Sequence, residues 1–83
     1  MTYVYFLKLS NKDIYKGSTE DLKDRIKQHQ AGRVTSTSKY LPLKLIGYEY
    51  YSHRSDALRR ETFLKTTEGR RMLRQQYRDA IGE

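Results

Sequence analysis

The 83-residue chain has no cysteine and no tryptophan, one proline (Pro42) and one asparagine (Asn11). Without cysteine there is no disulfide framework, thiolate metal site or thiol nucleophile, and a reducing compartment is permitted. No apolar run approaches the roughly 20 residues of a membrane span, and the N-terminal TYVYFLKL lacks the basic segment and small-residue cleavage site of a secretory signal. The expectation is a soluble, cytoplasmic protein with no membrane partner. Acidic residues are also scarce. Ten Asp and Glu face seventeen Lys and Arg, a formal charge of +7 spread along the chain, and polyanions are the natural partners of such a surface. A chain this short has room for only one modest core, so one domain over residues 1–83 is expected, with any active site a shallow surface cleft.

What the chain does have is tyrosine, eight in all. A phenol packs its ring while presenting a hydroxyl for hydrogen bonding or proton transfer. Residues 2–9, TYVYFLKL, read as a strand, SNKD as a turn and DIYKG as a second strand, which together make a β-hairpin. Ser18 is placed to cap a helix over about residues 19–31, with Leu22 and Ile26 on one face and Gly32 as its left-handed stop. GRVTSTSKYLP is a loop with room for one helical turn. LKLIGYEYY (43–51) reads as a strand covered on both faces. From Ser55 a helix carries Ala57, Leu58 and Leu64 as its stripe. Gly69 is placed to break it from a last helix with Met72, Leu73, Tyr77, Ala80 and Ile81 facing inward. The order ββα, loop, βαα predicts a small α+β domain, a sandwich built on a three-stranded, mainly antiparallel sheet.

Chemistry concentrates in DIYKGSTEDLKDRIKQH, residues 13–29. Arg25 and His29 lie four apart and project from one side of the first helix, as a site would require and as a solvated basic face would also show. Glu61 is three positions from both Leu58 and Leu64, on or beside a buried stripe, where a carboxylate needs a cation. Periodicity supports a salt bridge to Arg25 or Lys65 as well as it supports a metal. Two hairpin registers are open for Tyr5 and Tyr15. With a two-residue loop the phenols point to opposite faces; with the three-residue loop Ser10–Lys12 they share a face and Gly17 sits opposite Tyr5. In that second register Gly17 is expected to leave open space beside the phenol for a backbone or phosphate.

YVY at 3–5, YKG at 15–17 followed by ST, then DLKDRIKQH, STSKYLPLKLIGYEYY and ALRRETFLK form an ordered set covering residues 3 to about 74. This set resembles the GIY-YIG nuclease superfamily, above all its small stand-alone branch related to excision-repair and intron-homing endonuclease catalytic domains. The resemblance implies a metal-dependent phosphodiesterase with a central three-stranded antiparallel sheet. It matches the motif tyrosines to Tyr5 and Tyr15, with Gly17 following. The helix arginine matches Arg25, the histidine of many members His29, and the metal-binding glutamate Glu61. By that resemblance Glu61 holds one divalent cation, Mg²⁺ or Mn²⁺, completed by water and phosphate oxygens. Tyr5 is the first choice for the base that activates water, with Tyr15 orienting water or phosphate and Arg25 stabilising the phosphate. His29 competes as base because imidazole titrates near neutrality. As a base Tyr5 needs nearby positive charge, since a free phenol is mostly protonated at neutral pH.

Two motif positions differ from the family, Tyr3 for glycine and Lys16 for isoleucine, and neither removes a functional group. The late asparagine of several members is missing, with Gln75 or Gln76 the available substitutes. Lys16, Lys23, Lys27, Arg33, Lys39 and Lys44 are candidate phosphate contacts on nucleic acid, DNA first. Specificity would come from DNA shape, a homodimer or a partner protein, because no base-reading motif is present. Composition alone also accommodates a nucleic-acid-binding module of feeble activity, or a protein-interaction domain whose tyrosines pack and whose charge solubilises.

Overall fold

The structure, a computed structural model, describes residues 1–82. Strand β1 (Thr2–Lys8) organises it, because TYVYFLK carries side chains that want burial on both faces. It lies between two antiparallel neighbours, β2 (Ile14–Thr19) and β3 (Lys44–Tyr51), in a sheet of order β2-β1-β3. Helix α1 (Leu22–Gln30) follows β2, and α2 (Arg54–Leu64), α3 (Thr67–Gln76) and the short α4 (Arg78–Ile81) follow β3. The expected α+β class and element order are those observed.

Alternation along β1 sorts its side chains into two layers. Tyr5 and Leu7, with Leu9 beyond the strand, pack with Tyr15, Leu22, Ile26, Leu43 and Leu45 beneath α1. Val4 and Phe6 pack with Ile14, Ala57, Leu64, Leu73 and Ile81 beneath the later helices. A bulge makes this possible on the β3 side. Phe6 pairs with Gly47 and Leu7 with Leu45, so the extra residue, Ile46, turns into the second layer. At Gly47 a Cβ would collide with the ring and hydroxyl of Tyr77, so the missing side chain is what admits that tyrosine.

Several boundaries differ from expectation. Ser18 does not cap α1, because it still pairs with Val4 in the ladder; Asp21 takes the role, its Oδ1 accepting from Asp24 N at 3.1 Å. Gly32 does end the helix in the left-handed region (φ 74°), with Arg33 N bonded to Gln28 O at 3.0 Å. Strand β3 is an edge strand, and Tyr48 and Tyr50 are half exposed rather than covered. Helix α2 starts at Arg54, one residue early, and buries Ala57 and Leu64 while Leu58 stays exposed. Gly69 is not a breaker. The break falls at Lys65 and Thr66, Thr66 Oγ1 capping Gly69 N at 3.1 Å, and a side chain at Gly69 would strike the carbonyl of Phe63. In the last segment Leu73 and Ile81 face inward, whereas Met72 and Ala80 are exposed, and Tyr77 divides it into α3 and α4.

Candidate active site

The hairpin closes through Leu9 N to Asp13 O at 2.9 Å, leaving the three-residue loop Ser10–Lys12. Lys12 adopts a left-handed φ of 73°, and Asn11 Oδ1 accepts from Asp13 N at 3.0 Å. This is the second of the two possible registers: Tyr5 pairs with Gly17 and Leu7 with Tyr15. Both phenols therefore share the face beneath α1, with ring centroids 6.2 Å apart. The open space expected over Gly17 is filled. A Cβ there would lie 2.5 Å from the hydroxyl oxygen of Tyr5, so the glycine accommodates the phenol itself.

Helix α1 supplies the next group. His29 is fully buried, its Nε2 2.8 Å from Tyr5 Oη and its ring 5.2 Å from that of Tyr15. On its other side Nδ1 meets Thr37 Oγ1 at 2.7 Å. Thr37, also fully buried, donates to the Val34 carbonyl at 3.5 Å, which assigns the ring proton to Nδ1 and leaves Nε2 to accept from the Tyr5 hydroxyl. Thr37 was invisible in the sequence, because its contact with His29 depends on how the loop folds back. The only signal was the hydroxyl-rich STS segment. The loop does make the helical turn anticipated for it, Ser38 N bonding Val34 O at 2.9 Å.

The electrostatics follow from this burial. Burial first, then the charge of Arg25, lowers the pKa of His29 to about 4, so the imidazole is neutral near pH 7. Burial raises the Tyr5 phenol above its ordinary value, and a hydrogen bond from Arg25 works against that rise. The positive charge expected to favour phenolate is thus present but outweighed. Arg25 also bonds Gln28 Oε1 at 3.0 Å.

Glu61 lies four residues after Ala57 and three before Leu64, on the buried side of α2, and its charge is felt at Tyr5. Its side chain is 17 % exposed, and Oε2 accepts from Lys65 Nζ at 2.9 Å. That ion pair is one of the two alternatives the spacing left open. It does not exclude the other, because Lys65 is exposed and a pair open to water on one side contributes little. A lone carboxylate is compatible with a magnesium-type cation, which needs only one or two from the protein, and Glu61 would be the residue to hold it. Among the described residues no group of three or more His, Cys, Asp or Glu converges to make an all-protein cage.

Tyr5, Tyr15, Arg25 and His29 are therefore brought together from the hairpin and α1, while Glu61 of α2 makes no described contact with them and reaches Tyr5 only through its charge. Lys16 projects to the opposite face from Tyr15 and Gly17, toward α3. Lys39 is exposed on the loop, and Gln75 and Gln76 are exposed on α3, so no described contact joins them to the tyrosine–histidine cluster. A cavity of about 680 Å³ lies along the other flank of α1 between Leu22, Ile26, Tyr3 and Tyr48.

Comparison with known proteins agrees with the motif order. The family model of the GIY-YIG catalytic domain matches residues 1–77. A UPF0213 protein of Streptococcus pyogenes serotype M5 is 36% identical over 64 residues, covering 76% of this chain and 70% of that protein. A UPF0213 protein of Clostridium perfringens is 36% identical over 69 residues, covering 78% and 71%. The solution NMR structure of a UPF0213 protein from Bacillus halodurans superposes with a TM-score of 0.57 at 28% identity, covering 88% of this chain and 82% of that one.

Proposed function

Because the chain belongs to the GIY-YIG family, in its small UPF0213 branch, we propose that it is a metal-dependent endonuclease hydrolysing nucleic-acid phosphodiester bonds, those of DNA first. The observation that carries this is the buried hydrogen bond between Tyr5 and His29 at a place where Arg25 and Glu61 both act on the same phenol.

In hydrolysis a bond forms from a water oxygen to phosphorus while the bond from phosphorus to the leaving oxygen breaks. Tyr5 takes the proton of the attacking water as its own moves along the hydrogen bond to the free Nε2 lone pair of His29. The ring is a transient acceptor, because burial disfavours its charged form and drives it to give the proton up before the next turnover. Thr37 holds the ring through Nδ1 and so keeps Nε2 aimed at Tyr5. The two candidate bases thus act as one relay. Arg25 pairs with the nonbridging oxygens; once so paired, it no longer depresses the proton affinity of His29 as strongly. Tyr15, packed against both rings, orients the water or phosphate. Glu61 would hold a magnesium or manganese ion, which would supply charge neutralisation on the leaving oxygen; that oxygen takes its proton from solvent.

The test is incubation of the purified protein with Mg²⁺ or Mn²⁺ and plasmid, single-stranded and branched DNA. Wild type should shorten at least one of these, whereas Glu61→Gln and Arg25→Gln, with unchanged circular dichroism, should each lose about 10²-fold or more in rate. A folded Glu61→Gln protein that cuts as fast as wild type would refute the metal assignment. DNA retarded but never shortened by the wild type would identify a binding module.

A further inference from the structure

We infer that the face formed by β2 and α3 is a polyanion track, which holds by its phosphates the nucleic-acid strand leading away from the candidate cleft. Only the direction of the strand rests on the nuclease reading. Residues 65–78 hold five of the seventeen cations, Lys65, Arg70, Arg71, Arg74 and Arg78, against a single acid, Glu68. The fold adds Lys16 from β2. Lys16, Arg70 and Arg74 line a cavity of about 370 Å³ with Asp13 as its one carboxylate. A second depression of about 450 Å³ shares Arg74 and continues to Arg71, Gln75 and Arg78.

Some of these charges are held within the fold, Lys65 on Glu61 and Arg74 to the Lys12 carbonyl at 3.4 Å, but others are not. Two of the three cations of α2 sit on carboxylates, Arg59 on Asp56 and Arg60 on Glu49. Among the described residues Arg70 and Arg71 have no such partner. Arg78 donates to the Gln75 carbonyl at 2.9 Å and, among the described residues, makes no ion pair. Burial and the charge of Arg70 oppose the charge of Lys16, Asp13 partly offsets them, and Lys65 and Arg74 oppose it further. Like charges gathered this way disfavour the folded state, and a polyanion laid across them removes that cost.

The track is continuous with the candidate active site. Lys65 bonds Glu61 at 2.9 Å and its charge is felt at Lys16, so cations lead from the carboxylate across β2 onto α3. Arg70 and Arg74 are one turn apart, about 6 Å along the axis. That matches about two nucleotides at the 3.4 Å rise of one strand. Guanidinium forks on an exposed helix suit phosphate oxygens, the recurrent feature of a backbone, rather than base edges.

The inference is tested by binding without any divalent ion, so that a protein with no nuclease activity still answers. Labelled oligonucleotides of about 20 residues, as single-stranded DNA, duplex DNA and RNA, are titrated at about 50 to 200 mM salt. The Arg70→Gln/Arg71→Gln/Arg74→Gln protein should lose about 2 to 3 in the slope of log affinity against log salt on duplex, and about 2 on single strands. All three side chains lie outside the apolar cores, and a thermal melt checks folding. A folded triple variant with the wild-type slope on every ligand overturns the inference. Loss of slope in a protein that never cleaves upholds the track while refuting the nuclease.

Discussion

Beneath α2, α3 and α4 the sheet buries Val4, Phe6 and Ile14 against Ala57, Leu64, Leu73 and Ile81, whereas beneath α1 it buries Tyr5 against a histidine and a threonine. The first layer is apolar throughout its centre. Its main polar link is at the margin, where Arg60 holds Glu49 through two bonds of 3.1 and 3.2 Å and Tyr51 donates to the same carboxylate. The second layer has polar groups at its centre, joined in a line from Tyr5 through His29 and Thr37 to a backbone carbonyl. Such a line contributes less to stability than hydrocarbon of the same volume, because each group must first leave water. A single strand, β1, serves both layers by alternation, so the apolar side can hold the polar side in place.

The comparison breaks if the two layers respond alike. The largest effect is expected from Phe6→Ala, a loss of about 3 to 5 kcal/mol in urea unfolding. Tyr5→Phe, which keeps the ring and orphans Nε2 of His29, should lose only about 1 to 3 kcal/mol. Equal losses would mean that the α1 layer is no less a stability core than the other.

Acid should act through the α1 layer. An unfolded histidine titrates near 6.5 and folded His29 at about 4, so the unfolded chain takes up a proton that the fold refuses. Stability from this group is complete above about pH 6.5 and falls as the pH drops from there to about 4, by about 3 kcal/mol in all. In His29→Gln that contribution to the slope should vanish. A variant with the wild-type pH dependence would place the acid sensitivity elsewhere. A variant at the glycine facing Tyr5 sharpens the comparison further. Gly17→Ala should cost about 1 to 3 kcal/mol by overpacking, while displacing the Tyr5 hydroxyl from His29. Retained cleavage in that variant would show that the relay tolerates displacement.

Much of the fold was legible because β1, β3 and α1 carry local signals: aromatic and β-branched runs and a left-handed glycine stop. The errors arose where tertiary contact decides. Ser18 looks like a cap until the ladder claims it, and Gly69 looks like a breaker until the close approach of Phe63 is seen. Met72 fits a helical stripe, yet α3 turns only Gly69 and Leu73 fully inward. In the candidate site, the motif spacing pointed to Tyr5, Tyr15, Arg25, His29 and Glu61. The ring's second partner, Thr37, and the burial that neutralises His29 depend on a loop with no periodicity of its own.

The three-residue bend between β1 and β2 carries a consequence for how this chain can vary. A strand's sidedness repeats every second residue, so the phenols of Tyr5 and Tyr15 stay together only while the pairing keeps its present parity. One added residue absorbed by shifting the ladder would carry Tyr15 into the company of Phe6 and Lys16 into that of Tyr5; two would restore the arrangement. Length changes in this bend are therefore tolerable in even steps, or where a new bulge absorbs the odd one.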